Sequence, residues 1–117
     1  MGKTILVVDD SSIMRKMIKQ TLIGAGHSVV GEAKNGGEAI DLYQGLKPDL
    51  VTMDITMRGM DGMAAAKAIL ECDAGARIIM LSNLDEDKFS KEAAKIGAKG
   101  YINKHKTAAI LDLIGRL

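Results

Sequence analysis

Short apolar runs alternate along this chain with longer stretches of helical periodicity. Thr4-Ile5-Leu6-Val7-Val8, Leu50-Val51-Thr52-Met53 and Ile78-Ile79-Met80-Leu81 are apolar or β-favouring throughout, and Ser28–Ala33 and Lys99–Asn103 are more mixed runs. Short continuous runs of this kind predict strands buried on both faces of a sheet. Between them, Met14, Met17, Ile18 and Leu22 fall on one helical face, as do Ala39, Leu42, Tyr43 and Leu46 at i, i+3, i+4 and i+7. Gly62 opens an Ala-rich helix through about Cys72, Phe89, Ala93 and Ile96 mark the inner side of a fourth helix, and Ile110, Leu113, Ile114 and Leu117 form the stripe of a fifth. The punctuation agrees. Gly24-Ala25-Gly26, Lys47-Pro48 and Gly97 stop helices, Gly36-Gly37 and Ala74-Gly75-Ala76 read as turns, and Asp85, Glu86 and Asp87 suit a helix start. A Ser or Asp among Asp9, Asp10, Ser11 and Ser12 can cap the first helix, and Thr107 the last. Five strand–helix alternations predict an α/β fold, a doubly wound five-stranded parallel sheet with right-handed crossovers.

The strands end in chemistry. The first runs into Asp9-Asp10, the third into Asp54, the fourth into Ser82-Asn83 and the fifth into Lys104. Ligands of open α/β sheets bind outside the carboxyl ends of the strands. Parallel neighbours would bring these acids, the hydroxyl and the lysine to one edge. Three close carboxylates repel, and each resists ionising beside the others. A divalent cation removes that conflict, and an all-oxygen ligand set suits Mg²⁺ first and Mn²⁺ next. A Lys at the same edge binds phosphate as a point charge, and a Ser hydroxyl can donate to a phosphate oxygen. An Asp carboxylate can itself accept a phosphoryl group. The pattern therefore fits either phosphorylation of an Asp or binding of a phosphate beside a metal.

Composition narrows the class. A chain of 117 residues, 47% hydrophobic, fits one domain (1–117) with a real core, filled by aliphatics and eight Met because aromatics are few. A net charge of +1 gives no general case for nucleic acid or a membrane surface as partner. Cys72 stands alone, which excludes an internal disulfide and fits a reducing, cytoplasmic setting. No apolar run is long enough to span a bilayer. Met1-Gly2-Lys3-Thr4 leads straight into the first strand with no signal peptide. Gly2 as a myristoylation site is discounted because a core strand follows at once.

The Asp pair after strand one, the acid in Asp54-Ile55-Thr56-Met57-Arg58-Gly59-Met60-Asp61-Gly62 after strand three, Ser82 after strand four and Lys104 after strand five occur in order, each at a strand end. In this the chain resembles the receiver domain of two-component response regulators, most closely the single-domain chemotaxis type, over nearly its whole length. The resemblance implies strand order 2-1-3-4-5, which sets strands one and three side by side. It implies Asp54 as phosphoacceptor and Asp9, Asp10 and Asp54 as metal acids, with Asp10 the firmer ligand, Asp9 acting through water, and the Thr56 backbone carbonyl completing the set. It implies Lys104 paired with Asp54 at rest and with phosphoryl oxygens afterwards, Ser82 as switch hydroxyl and Tyr101 as switch aromatic. The implied partners are a sensor histidine kinase, a flagellar motor switch protein and a phosphatase, the chain being a monomer with no room for an output domain. It is a signalling module rather than an enzyme, taking part in its own phosphotransfer and dephosphorylation.

Three residues depart from that pattern. His105 stands where Pro usually follows the lysine. A non-Pro cis bond costs about 2.5–4 kcal/mol, so a trans bond and a reshaped loop are expected. Arg58 replaces Pro in the loop after Asp54, and Asn83 replaces a small residue beside the switch hydroxyl, narrowing access to Asp54. Thr56 and Leu84 are positioned to tune the lifetime of a phosphorylated state. Lys88, Lys91 and Lys95 make a basic stripe that reads as a solvated helix face or as a dock for an acidic partner. Met53, Met57, Met60 and Met63 read as flexible packing, and His27 and His105 lack metal-ligand spacing. Among rivals, a flavodoxin-like cofactor binder needs a phosphate-cradling loop where Asp9-Asp10 stands. A P-loop enzyme lacks its motif, and a dehalogenase-type phosphatase needs an Asp-x-Asp pattern. A phosphorelay intermediate, or a docking module that is never phosphorylated, are the alternatives within the fold.

Overall fold

A computed structural model of the chain describes residues 2–57, 59–83 and 89–117. Ten elements follow in strict alternation: β1 (Thr4–Val8), α1 (Ser12–Gly24), β2 (Ser28–Ala33), α2 (Gly36–Leu46), β3 (Leu50–Asp54), α3 (Gly62–Cys72), β4 (Ile78–Ser82), α4 (Ser90–Ile96), β5 (Gly100–Asn103) and α5 (Thr107–Arg116). All strand pairs are parallel, in the order β2-β1-β3-β4-β5. This is the doubly wound sheet and the order expected.

Two apolar cores sandwich the sheet. On one face Ile5, Val7, Leu50, Ile79 and Leu81 pack with Ile18 and Leu22 of α1 and Ile110 and Ile114 of α5. On the other, Leu6, Val8, Val51, Met53, Ile78 and Met80 meet α2, α3 and α4 through Ala39, Tyr43, Ala65, Ala66, Ile69 and Ala93. The central strands β1, β3 and β4 are buried along almost their whole length, which is why they read as unbroken apolar runs. Met53, Met57 and Met63 are core residues, as expected of packing methionines, while Met60 is exposed. Among the described residues no helix is long and apolar enough to cross a membrane.

Several local expectations are corrected. Met17 is 45% exposed, and Leu46 is exposed too, so the stripes of α1 and α2 are narrower than the spacing implied. Gly36-Gly37 is no turn: both residues belong to the first turn of α2, where Asn35 caps the helix by accepting from Glu38 N–H. Ser11 caps α1 as expected, accepting from Met14 N–H at 3.2 Å. Thr107 does not cap α5; Lys106 occupies that position and makes no side-chain cap bond. β5 begins at Gly100 rather than Lys99. The acidic start of the fourth helix (Asp85, Glu86, Asp87), together with Arg58, Leu84 and Lys88, lies outside the described residues.

β2 carries one irregularity. Ile5 pairs with Val29 but Leu6 pairs with Gly31, so the register slips by one at Val30. Such a bulge re-aims the side chains beyond it. Here it brings Glu32 level with Val7, on the α1 face of the sheet.

The turn into α3 depends on a close approach. A Cβ built on Gly62 would lie 1.8 Å from the Asp54 carbonyl oxygen, and the Gly62 N–H donates to the Ile55 carbonyl at 2.8 Å. Backbone cannot move aside as a side-chain tip can. Gly62→Ala is therefore expected to lower unfolding free energy by about 2–3 kcal/mol or more in urea titrations. Gly45→Ala, on a helical position with open space around it, is expected to raise it by roughly 0.5–1 kcal/mol. Equal effects at the two sites would contradict the close-approach argument.

Candidate functional site

The carboxyl ends of β1, β3 and β5 bring Asp9, Asp54 and Lys104 together beneath the surface, and all three are buried. Strand alternation puts Asp9 on the face of Ile5 and Val7, Asp54 on that of Leu50, and Lys104 on that of Ile102, which is the α1/α5 side throughout. Asp10, the next residue along, is exposed at the rim. One carboxylate oxygen from each of Asp9, Asp10 and Asp54 lies within 4.8 Å of the others.

Asp9 is held at every polar atom. Its N–H donates to the Ala33 carbonyl at 3.0 Å, prolonging the β1–β2 pairing by one residue. Its Oδ1 accepts from Ser11 N–H at 2.8 Å, turning the chain toward α1. Its Oδ2 accepts from Lys104 Nζ at 3.0 Å, and its carbonyl accepts from Arg15 Nη1 at 2.7 Å. Arg15 was not singled out from sequence. The available signal was an arginine one turn into the helix that follows the acid pair, set off the apolar stripe.

Lys104 was expected to pair with Asp54 at rest. Its nearer partner is Asp9, and Asp54 Oδ2 stands at 3.5 Å. The ammonium thus lies between two buried carboxylates and neutralises one charge of the two. Asp54 carries the deficit. Burial, and then the Asp9 charge, push its carboxyl up from the usual range to about 6, against the opposing pull of Lys104 and a hydrogen bond from the Thr56 backbone N–H. Thr56 itself is exposed.

Ser82 closes β4 and is half-buried, and its carbonyl accepts from Lys104 N–H at 2.8 Å. Tyr101 is half-buried against the core on the α2–α4 side, in register with Met80, two residues short of Ser82. The Lys104–His105 bond is trans, and His105 N–H donates to Asn103 Oδ1 at 2.8 Å, which ties the turn. Asn83 is exposed, and its carbonyl is 3.5 Å from Asn103 Nδ2.

The donors present fit a hard divalent cation. Three carboxylate oxygens converge, one acid is pushed up by burial and by its neighbouring carboxylate, and no nitrogen or sulfur ligand joins them among the described residues. Chemically, the site offers a buried carboxylate nucleophile, a place for a cation beside it and a lysine for phosphate oxygens.

A family model described as the response regulator receiver domain matches residues 5–114. The chemotaxis protein CheY of Thermotoga maritima is 49% identical over 104 residues, covering 89% of this chain and 87% of that protein. The CheY of Bacillus subtilis matches with the same identity and coverage. The crystal structure of a CheX–CheY–BeF3–Mg complex from Borrelia burgdorferi contains a chain that superposes with a TM-score of 0.92 at 34% identity, over 97% of this chain and 87% of that one.

The raised carboxyl of Asp54 has a consequence for stability. Its ordinary pKa is 3.8 and its folded value about 6, so the fold favours the protonated form. That contribution is complete below about pH 4 and is lost as pH rises through 6. At pH 7 without metal, Asp54→Asn is expected to be more stable than wild type by roughly 2–3 kcal/mol, with the gap closing at pH 4 and shrinking when Mg²⁺ is added. Thermal melts of both proteins at the two pH values check this; a gap independent of pH would contradict it.

Proposed function

The chain belongs to the response regulator receiver domain family, and from that premise we propose that residues 1–117 form a single receiver whose Asp54 accepts a phosphoryl group from a sensor histidine kinase. It is a receiver of the CheY-like kind in two-component signalling. The observation that carries the reading is the buried Asp54 carboxylate, with Asp9 and Asp10 oxygens within 4.8 Å of it and Lys104 Nζ at 3.5 Å.

In this reading an Asp54 carboxylate oxygen bonds to phosphorus while the phosphorus–nitrogen bond of the donor phosphohistidine breaks. The electron pair stays on the imidazole nitrogen, which takes up a proton. Asp9, Asp10 and Asp54, with the Thr56 carbonyl, would hold the cation, Mg²⁺ or Mn²⁺. When bound, the ion supplies positive charge to the transferring oxygens. Lys104 exchanges part of its contact with Asp9 for the new phosphoryl oxygens. The acyl phosphate carries roughly −1.5 to −2 charges in place of the single charge of the carboxylate, with three acceptor oxygens. Ser82 turns its hydroxyl toward them, and Tyr101 follows into the space released. The face built from α4, β5 and α5 then shifts its population between two forms.

Lys91 and Lys95 are exposed on α4 and line a groove with Lys67 and Glu71 of α3, so an acidic partner that docks on them would approach from the α3 side. By analogy with the CheY relatives the output is motility control, with a flagellar motor switch protein as target and a phosphatase to reset it. Intact mass after incubation with acetyl phosphate tests the chemistry. A single phosphoryl adduct is expected in Mg²⁺, absent in EDTA and absent in Asp54→Asn. A folded wild type that gains no adduct from acetyl phosphate or from a cognate kinase would reduce the chain to a docking module.

A further inference from the structure

We infer that Arg15 is a positioning residue of the acidic pocket, fixing the peptide plane between Asp9 and Asp10 and so the direction in which their carboxylates meet a divalent cation. The inference rests on the metal-binding reading above and adds a residue that reading does not require.

The carbonyl of Asp9 belongs to the peptide unit whose N–H is that of Asp10. Two soft dihedrals, one on each side of that planar unit, decide where the Asp10 side chain points. Asp10 sits at the exposed rim, without the burial that immobilises Asp9. What pins the plane is the Arg15 guanidinium, which folds back over the first turn of its own helix to donate to the Asp9 carbonyl at 2.7 Å.

The guanidinium is itself anchored. Its Nε donates to Glu32 Oε1 at 3.3 Å, and the other oxygen of Glu32 accepts from Lys19 Nζ, one turn further along α1, at 2.8 Å. Lys19 first, and then Arg15, hold the Glu32 carboxyl below its ordinary range. Glu32 reaches this position only through the register slip at Val30. Without it, Glu32 would pair with Val8 and share the opposite face of the sheet; with it, Glu32 pairs with Val7 and faces α1. The bulge, the glutamate and the arginine form one strut, running from the edge strand to the carbonyl between the two acids. The side chain of Arg15 is only 17% exposed, so this geometry is packed rather than one of many solvated rotamers.

Charge alone and positioning predict opposite signs. Removing a cation beside a divalent-ion site tightens ion binding by Coulomb's law. Removing a group that orients the ligands weakens it, typically by 10-fold or more. The test is calorimetric titration of wild type, Arg15→Met, Arg15→Lys and Glu32→Gln with Mg²⁺ and with Mn²⁺, with no phosphodonor, beside thermal melts of the metal-free proteins. Arg15→Met is expected to bind both ions about 10-fold more weakly. Arg15→Lys should fall between, because an ammonium can satisfy the carbonyl or Glu32 but lacks the fork to hold both. Glu32→Gln should weaken binding less than Arg15→Met. Unchanged or tighter binding in Arg15→Met, with wild type binding normally, overturns the inference and leaves the receiver reading standing. A wild type that binds neither ion overturns both. Should Arg15→Met fail to fold, Arg15→Lys decides: it keeps the charge, so weaker binding supports the inference and unchanged or tighter binding overturns it.

Discussion

A buried ion pair between Lys104 and Asp9 is the contact on which the functional edge of the sheet depends. Its partners are 95 residues apart in the chain and meet at 3.0 Å, both almost wholly shielded from water. Breaking such a pair from one side costs about 3–5 kcal/mol, because a charge is left buried alone. Here the cost is sharper still, since a second carboxylate, that of Asp54, lies beside the first. Lys104 follows β5, an edge strand, and its side chain must pass β4 and β3 to reach the acid at the end of β1. The order β2-β1-β3-β4-β5 puts those ends within reach of one lysine. The sheet topology and the electrostatics of the site are therefore one constraint.

That constraint also sets what a cation does. One ammonium cannot neutralise two buried carboxylates and a third at the rim. Burial first, and then that shortfall, push the Asp54 carboxyl up to about 6. In the proposed function a cation at this edge would relieve the shortfall and let Asp54 ionise. Arg15 adds no neutralising contact to a carboxylate of the cluster; its hydrogen bond goes to a backbone carbonyl, and its charge is already matched by Glu32.

Much of this was legible in the sequence because a buried strand advertises both its burial and its end. Leu50–Asp54 is apolar until the residue that reaches the sheet edge, so one carboxylate marks strand boundary and site together. Asp9, Asp10 and Lys104 were legible for the same reason. Features set by pairing between elements were not. Gly36-Gly37 carry turn chemistry, yet they form helix because Asn35 caps them and because the space at Gly36, filled on one side by Met60 and Ala65, has no room for a side chain. Met17 has helical spacing but lies beyond the edge of the buried stripe, a matter of how α1 sits on the sheet. The preference of Lys104 for Asp9 over Asp54 and the slip at Val30 depend on register, which no single run of residues encodes. Arg15 became visible only when the slip had placed Glu32 opposite it.

The proposed switch has a geometric limit set by the same register. Lys104 is tied by its backbone N–H to the carbonyl of Ser82, so β4 and β5 stay paired while its side chain changes partner. A phosphoryl group at Asp54 would raise the charge there to roughly twice that of Asp9 and draw the ammonium across a gap of a few tenths of an ångström, the difference between 3.0 and 3.5 Å. A movement so small cannot by itself reshape a surface. In the proposed switch the amplifying residue is Tyr101, half-buried on the opposite face of β5 from Lys104. The sheet between them is close-packed and transmits strain rather than absorbing it. Under the proposed switch, signal would cross the sheet through the β4–β5 pair, from the acids on the α1/α5 side to the aromatic on the α2–α4 side.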